Sequence, residues 1–477
     1  MLEILSKAQL EQLHNTSIEI LEKIGVSFYH KSALKIFKDA GANVNGTLVK
    51  IPEYLVKESL SKALHNFIWY ARDPKHNLHI GDSKVYYSGI YGHPFVLDMK
   101  DGKRRRALLK DVEEITKITD ALEYIHAAGG MIVEPSDVRT EVSHVYVYLS
   151  MLKNTGKCIL GHAYGIKAQD CIEMARIVVG SYEELLKKPF IATIINSTSP
   201  LQYGAEMIEG LLSYVKYNQP VIITPLAQAG GTAPVTLAGL LAQQNAEFLA
   251  GFTLVQLIRP KNPVFYGSAS TIMDMKTGIP SVGAPEAGLI GAVTAQLARF
   301  YQLPSRVSAG LTDSKIPDIQ AGYEKALTCM LVSLAGANLV LHAAGSLEYY
   351  LTASPIQLIV DNEILGWISR ILSGIEINEE TLAFNVIKNA REIGHFLTQK
   401  HTLNYFKKEF WIPKITDRCS WSEWKNKGAK DLVNKAKEEA EKILIEHNPK
   451  PLDEDILKEL NNFIKKIEKQ RMEKNKK

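Results

Sequence analysis

The sequence predicts an α/β protein, a (β/α)8 barrel carried between helical extensions at its two ends. Two observations predict it. Through the middle of the chain, short runs rich in β-branched and aromatic residues alternate with longer segments of helical period. The runs number eight, and each is nearly continuous in apolar residues, which requires a parallel sheet covered by helices. An open doubly wound sheet shares this alternation, but the count of eight favours closure. No G-x-G-x-x-G follows the first run, so a dinucleotide-binding crossover is disfavoured.

In order, the strands are expected at "KVYYSGIYG" (84–92), "IHAAGGMIVE" (125–134), "CILGHAY" (158–164), "PFIATIIN" (189–196), "PVIITPL" (220–226), "PVFYGSAS" (263–270), "SRVSAGL" (305–311) and "ANLVLHAAG" (337–345). Helices are expected at 108–121, 138–154, 167–179, 204–217, 234–258, 284–301, 317–335 and 356–373. The catalytic barrel then spans 81–375. Residues 1–80 carry two or three amphipathic helices and a short extended "TLVKIP", and 376–477 form a C-terminal helical extension. Both extensions are expected to pack on the barrel. The last fifty residues are heavily charged helix with a solvated face, and the final Lys-rich turn is expected to fray.

Composition excludes several classes. The chain has 477 residues, 46% of them hydrophobic, which is enough to bury a large core. Its formal charge of +4 is a small excess with no Lys/Arg block interleaved with aromatics, so nucleic acid is not an expected partner. Cys158, Cys171, Cys329 and Cys419 lie far apart without zinc-like spacing and read as free thiols of a reducing cytoplasm. The N-terminus lacks the basic start and apolar core of a signal peptide. "ALTCMLVSLAGANLVLHAAG" (326–345) is uncharged and long enough for a membrane span, but Gly336 and Asn338 interrupt it. It reads as a buried helix, a turn and a buried strand, and no membrane is expected.

In such barrels chemistry sits at the C-terminal ends of the strands. The stretch "AGLTDSKIPDIQAGYEKA" (309–326) shows the pattern: an apolar strand ends in Thr312, Asp313, Ser314 and Lys315 before a helix begins. The other rim residues are Tyr91 and His93; Glu134; His162 and Tyr164; Asn196, Ser197 and Ser199; Thr224 and Gln228; Tyr266, Ser268 and Ser270; and His342, Ser346, Glu348, Tyr349 and Tyr350. Three chemistries fit parts of this list. Lys315 at a strand end suits a Schiff-base lyase or aldolase. His93, His162 and His342 with Asp313 suit a metal hydrolase, although no strand ends in the paired His-x-His of such sites. Methyl transfer from a substituted ammonium asks for aromatic faces around a cation and donors for a carboxylate. Tyr91, Tyr266, Tyr349 and Tyr350 offer faces, and His93, His342 and Lys315 offer donors.

Long uncommon strings add to this. "RDPKHNLHIGD" (72–82), "PFVLDMKDGKRRRA" (94–107), "ITPLAQAGGTAPVTLAGLLAQQNAEFLAG" (223–251), "VFYGSASTIMDMKTGIPSVGAPE" (264–286), "AGLTDSKIPDIQAGYEKALT" (309–328), "LHAAGSLEYYLTAS" (341–354) and "HTLNYFKKEFWIPKITDR" (401–418) resemble the trimethylamine methyltransferase (MttB-like) family over nearly the whole chain. The resemblance implies a (β/α)8 barrel that moves a methyl group from a methylated amine to the Co(I) of a corrinoid. The corrinoid is supplied by a separate small corrinoid-binding protein, with no cofactor held tightly by this chain.

Archaeal members of that family carry pyrrolysine, expected in or near the 309–320 loop. Every letter here is an ordinary amino acid. The chain therefore resembles the branch acting on quaternary amines such as glycine betaine, proline betaine, carnitine or butyrobetaine. On that footing Tyr91, Tyr266 and Tyr349 surround the ammonium, and His93 and His342 anchor a carboxylate. Asp313 and Gln320 orient the loop around Lys315, and Glu348 and Tyr350 complete the substrate-binding set. A non-catalytic betaine-binding barrel is the alternative to an enzyme. A cytoplasmic homo-oligomer is expected.

Overall fold

Eight parallel strands alternate with eight helices in the computed structural model, which describes residues 1–474. The strands are β1, in two halves (Tyr86–Tyr87 and Tyr91–His93), β2 (Ala127–Val133), β3 (Cys158–Leu160), β4 (Ile191–Ile195), β5 (Val221–Ile223), β6 (Val264–Ser268), β7 (Ser305–Ser308) and β8 (Leu339–Leu341). The helices after them are α1 (Leu109–Ala121), α2 (Ser143–Asn154), α3 (Gly165–Val179), α4 (Ala205–Lys216), α5 (Leu237–Ile258), α6 (Pro285–Phe300), α7 (Ile319–Leu334) and α8 (Pro355–Leu372).

The first strand closes the ring. Its first half pairs with β8 (Leu339↔Tyr86), and its second half pairs with β2 (Gly130↔Tyr91). The break between the halves is matched by a glycine opposite. Gly129 sits at φ +94°, and a Cβ there would stand 2.1 Å from the Ile90 carbonyl oxygen. Several strands are shorter than their apolar runs. β3 stops at Leu160 and β5 at Ile223, whereas Ala163, Thr224 and Ala227 just beyond are still buried. The loops over the mouth are themselves part of the core, so the sequence stays apolar after the ladder ends.

Inside the barrel, Ala127, Leu160, Ile194, Ile222, Phe265 and Leu341 converge with side chains from an N-terminal hairpin, Phe67–Trp69 paired to Leu78–Ile80. Phe67 and Trp69 meet Phe265 edge-on at 5.2 and 6.3 Å. Trp69 Nε1 donates to the Phe190 carbonyl at 3.1 Å, satisfying the one polar atom this ring buries. The hairpin thus seals the barrel at the end opposite the rim. The N-terminal extension is accordingly part sheet, with Val26–Phe28, Asn43–Asn45 and Leu48–Lys50 between its helices. Those helices cover α5, which is buried on nearly all sides.

At the other end of the chain, helices Leu432–Glu446 and Glu454–Lys474 pack one apolar face, including Ala436, Ala440, Ile443, Leu460 and Ile464, against the barrel helices. Arg176 pairs with Glu459 and Arg471 with Asp170, tying this charged segment to α3. The final Lys-rich turn, 475–477, lies outside the described residues. The uncharged stretch 326–345 forms the end of α7, a turn at Gly336 and β8. Among the described residues no helix is long and apolar enough to cross a membrane. The four cysteines are unpaired, three of them buried.

Replacing Trp69 by Ala leaves a void at the sealed end. It is expected to destabilise the fold by about 3–5 kcal/mol, read as a lower midpoint in denaturant unfolding. A midpoint unchanged from the parent would show that the hairpin only covers the barrel and does not fill it.

Candidate active site

Two small sheets build the rim. One joins the loops after β1 and β8, in the order Ser346–Leu347, Thr352–Ala353, Phe95–Leu97, Arg104–Arg106. The other joins the loops after β5 and β6, through Gln228–Ala229, Thr271–Met273 and Pro280–Ser281. The polar run after β7 ties in the rest. Glu324 Oε2 accepts from Thr312 Oγ1 at 2.5 Å and from the Asp313 amide at 2.9 Å, and Gln320 Nε2 donates to Glu324 Oε1 at 2.9 Å. Asp313 Oδ1 in turn accepts from the amides of Val282 and Gly283 at 3.0 and 3.4 Å. The strand ends in polar residues because they splice its loop to the preceding one.

The turn after β8 is held in an unusual shape. His342, Glu348 and Tyr349 are non-glycine residues with φ of 64°, 52° and 65°, a conformation costing on the order of 1–3 kcal/mol each. A buried ion pair offsets this from behind. Lys325 Nζ lies 3.2 Å from Asp361 Oδ2, and it donates to the carbonyls of Gly310 and Ser346. Asp361 Oδ2 also accepts from the Gly345 amide at 2.7 Å, and its Oδ1 accepts from Gln357 at 2.8 Å. The amides of Glu348 and Tyr349 are bound by the carbonyls of Ser314 and Thr312 at 2.7 and 3.0 Å. Both charges are fully hydrogen-bonded, as a buried pair must be to persist.

Within this frame lies a cavity of about 170 Å³, lined by Tyr91, Ala163, Tyr164, Ile194, Asn196, Met207, Thr224, Leu226, Ala269, Arg306, His342 and Tyr350. It shares Tyr164, Asn196, Met207 and Leu226 with a wider outer vestibule of about 560 Å³. Arg306 is the decisive feature. It rises from β7, is fully buried, and donates through Nη1 to the Ser268 carbonyl at 2.9 Å, while its Nε has no partner. Among the described residues no carboxylate pairs with it. Burial pulls its pKa down to about 10, which still leaves it charged at neutral pH. His342 beside it also has an unpartnered Nδ1. Burial first, then the nearby Arg306 and Lys325 cations and the adjoining His93 ring, hold that imidazole well below its usual pKa and so uncharged. The Tyr350 ring meets His342 edge-on at 5.1 Å. The arrangement could hold an anion, with Tyr91, Tyr164 and Tyr350 lining the same space.

The family model described as trimethylamine methyltransferase (MTTB) matches residues 1–472. The chain belongs to the trimethylamine methyltransferase family. It is a methyltransferase. A glycine betaine methyltransferase of Desulfitobacterium hafniense (strain Y51) is 40% identical over 462 residues, covering 97% of this chain and 96% of the relative. Trimethylamine methyltransferase MttB1 of Methanosarcina mazei is 36% identical, covering 98% of this chain and 96% of that one. The crystal structure of the Methanosarcina barkeri monomethylamine methyltransferase (MtmB) aligns with a TM-score of 0.52 at 12% identity, over 92% of this chain and 87% of that chain, a likeness of fold.

In this methyltransferase the structure brings Tyr91, His342 and Tyr350 to the cavity wall, as the sequence placed them at the rim. Tyr164, Asn196 and Thr224, rim residues without an assigned role, also line it. Other assignments need correcting. Tyr266 points outward, with its ring 3.9 Å from Phe248 and its hydroxyl donating to Asn245 Oδ1 at 2.8 Å, because its neighbour Phe265 takes the inward face. His93 sits behind the wall, with Nε2 against Ser346 Oγ at 2.8 Å. Glu348 is neutralised by Arg104 at 2.7 Å. Lys315 is exposed, reaching the Asp313 carbonyl at 2.8 Å and the Tyr349 hydroxyl at 3.4 Å, so it has no buried pocket in which to form a Schiff base. Tyr349, Asp313 and Gln320 belong to the rim scaffold. Among the described residues no three His, Cys, Asp or Glu side chains converge as a metal site. Arg306 was absent from the sequence list; a single charge inside an apolar strand was its signal.

Several histidines are folded in the neutral form. Burial lowers His93 and His162 to about 3 and His126 to about 4, and His342 is lowered likewise. Unfolded histidine titrates near 6.5. Above that pH neither state binds the proton and nothing is lost. Below it only the unfolded chain does, so stability falls by about 1.4 kcal/mol per pH unit for each such histidine. Denaturant midpoints are therefore expected to drop between pH 6.5 and about 5, with a shallower slope for His342→Gln. An unaltered slope in that variant would mean that His342 is charged in the fold.

Proposed function

We propose that this methyltransferase takes a methyl group from a short betaine, a quaternary amine bearing a carboxylate such as glycine betaine. The acceptor is the Co(I) of a corrinoid on a separate small protein. The observation that carries the reading is Arg306, a buried guanidinium at the inner wall of the cavity that no carboxylate pairs with among the described residues. A buried charge left unpaired is costly, and a substrate carboxylate supplies what the fold omits. The 40% identity to a glycine betaine methyltransferase supports the same class.

The rest of the wall suits the other end of such a molecule. Tyr91 and Tyr164 line the same cavity, and tyrosine rings attract a cation through their quadrupoles, with no hydrogen bond required of it. A quaternary nitrogen already carries its positive charge and leaves as a neutral amine, so no activating electrophile is needed. The corrinoid supplies the nucleophile. A cavity of about 170 Å³ has no room for a corrin macrocycle, so the acceptor must be presented over the mouth. The chain's own task is to fix the carboxylate on Arg306 and His342, turn one N–CH3 bond toward the mouth and keep water out.

With glycine betaine and a cognate corrinoid protein reduced to Co(I), the visible spectrum is expected to move to that of methyl-Co(III) as N,N-dimethylglycine accumulates. Betaine recovered with every methyl intact would leave only a binding barrel. Arg306→Met is expected to weaken glycine betaine roughly 10–150-fold in calorimetry, the value of a charge-assisted hydrogen bond. Choline, which lacks the carboxylate, should lose nothing, and equal losses for the two would count against the assignment.

A further inference from the structure

The cavity has two unlike ends. Arg306 and His342 rise from β7 and β8, and halfway round the ring, past the ends of β3 and β4, stand Tyr164 and Asn196. With a carboxylate at the first end, the ammonium group lies toward the second. Asn196 is out of character there. Its Oδ1 is buried and unpartnered, and no described residue hydrogen-bonds its amide. A buried carbonyl costs desolvation energy unless a donor reaches it.

The quaternary substrate has no such donor. Its nitrogen carries no hydrogen, and its methyl C–H groups make weak contacts only. The product does have one. When the methyl carbon bonds to the acceptor's electron pair, the C–N pair stays on nitrogen. The tertiary amine so formed is a base of about lysine's strength and, once the acceptor has left the mouth and water re-enters, takes a proton from it, releasing hydroxide to solvent. The resulting ammonium keeps the carboxylate and gains a single N–H. Asn196 lines the cavity, and its side-chain amide, with no described hydrogen-bond partner, is free to turn its oxygen toward that hydrogen.

We propose that Asn196 is a specificity-determining residue whose Oδ1 accepts the N–H of the demethylated tertiary ammonium, so that the cavity retains its product more firmly than the shared charges alone dictate. The proposal rests on the betaine reading and extends it. One cavity takes two ligand classes: the quaternary amine through charge and shape, and the protonated tertiary amine through these and one hydrogen bond. Product then competes with substrate for the free enzyme.

Calorimetry of the full chain at pH 7 with glycine betaine and with N,N-dimethylglycine tests this. The parent is expected to bind both. Asn196→Leu, similar in size and without an acceptor, should weaken N,N-dimethylglycine about tenfold or more while glycine betaine changes by less than about threefold. Asn196→Asp keeps an oxygen in place and should retain the preference for the tertiary amine, which covers the case in which the Leu variant fails to fold. Equal losses for both ligands, no loss for either, or a lost preference in Asn196→Asp would overturn the proposal. If the parent binds neither ligand, the betaine reading itself fails, and the two failures are thereby told apart.

Discussion

A guanidinium drawn inside a parallel barrel gives up several kcal/mol of hydration, and among the described residues no carboxylate restores it. The mouth is organised around that debt. The backbone carbonyl of Ser268 accepts from Nη1, while Nε is buried without a partner. The positive field also explains the neighbouring imidazole. His342 stays uncharged because burial and the adjacent cations make a second charge too costly, so it offers a neutral donor beside a charged one. On the proposed reading, selectivity for a carboxylate arises from omission as much as from contact.

Holding that geometry falls to residues that never reach the cavity. Lys325 and Asp361 occupy neighbouring helices, α7 and α8, and between them bind the chain just after β7 and the turn after β8. A buried pair of this kind is a poor source of net stability compared with packed apolar side chains. Its value is geometric: it fixes three left-handed residues that a flexible turn would release. The rim sheets act similarly from the front, joining loops that follow different strands.

The barrel was legible in the sequence because apolar period and strand count are properties of many residues at once, and errors at single positions average out. The eight runs and eight helices all occur, displaced by a few residues at most where mouth loops prolong the apolar runs. The site was less legible because it depends on single side chains. Tyr91, His342 and Tyr350 read as rim residues from their place at or beyond a strand end, and they line the cavity. Tyr266 was assigned inward because the parity of a strand cannot be set without knowing which neighbour fills the core, and a shift of one residue reverses every face. Arg306 went unread because it lies near the start of its strand, whereas its long side chain delivers the charge to the far end. Lys315 looked reactive by sequence alone, and only its exposure shows otherwise.

The hairpin that seals the barrel also sets an order of events during synthesis. Phe67 and Trp69 leave the ribosome early, yet their principal aromatic partner, Phe265, emerges roughly two hundred residues later. Contacts of such long sequence separation form slowly, and apolar rings that wait for a partner invite premature association. The N-terminal hairpin therefore reaches its packed state only once the sixth strand is present to receive it.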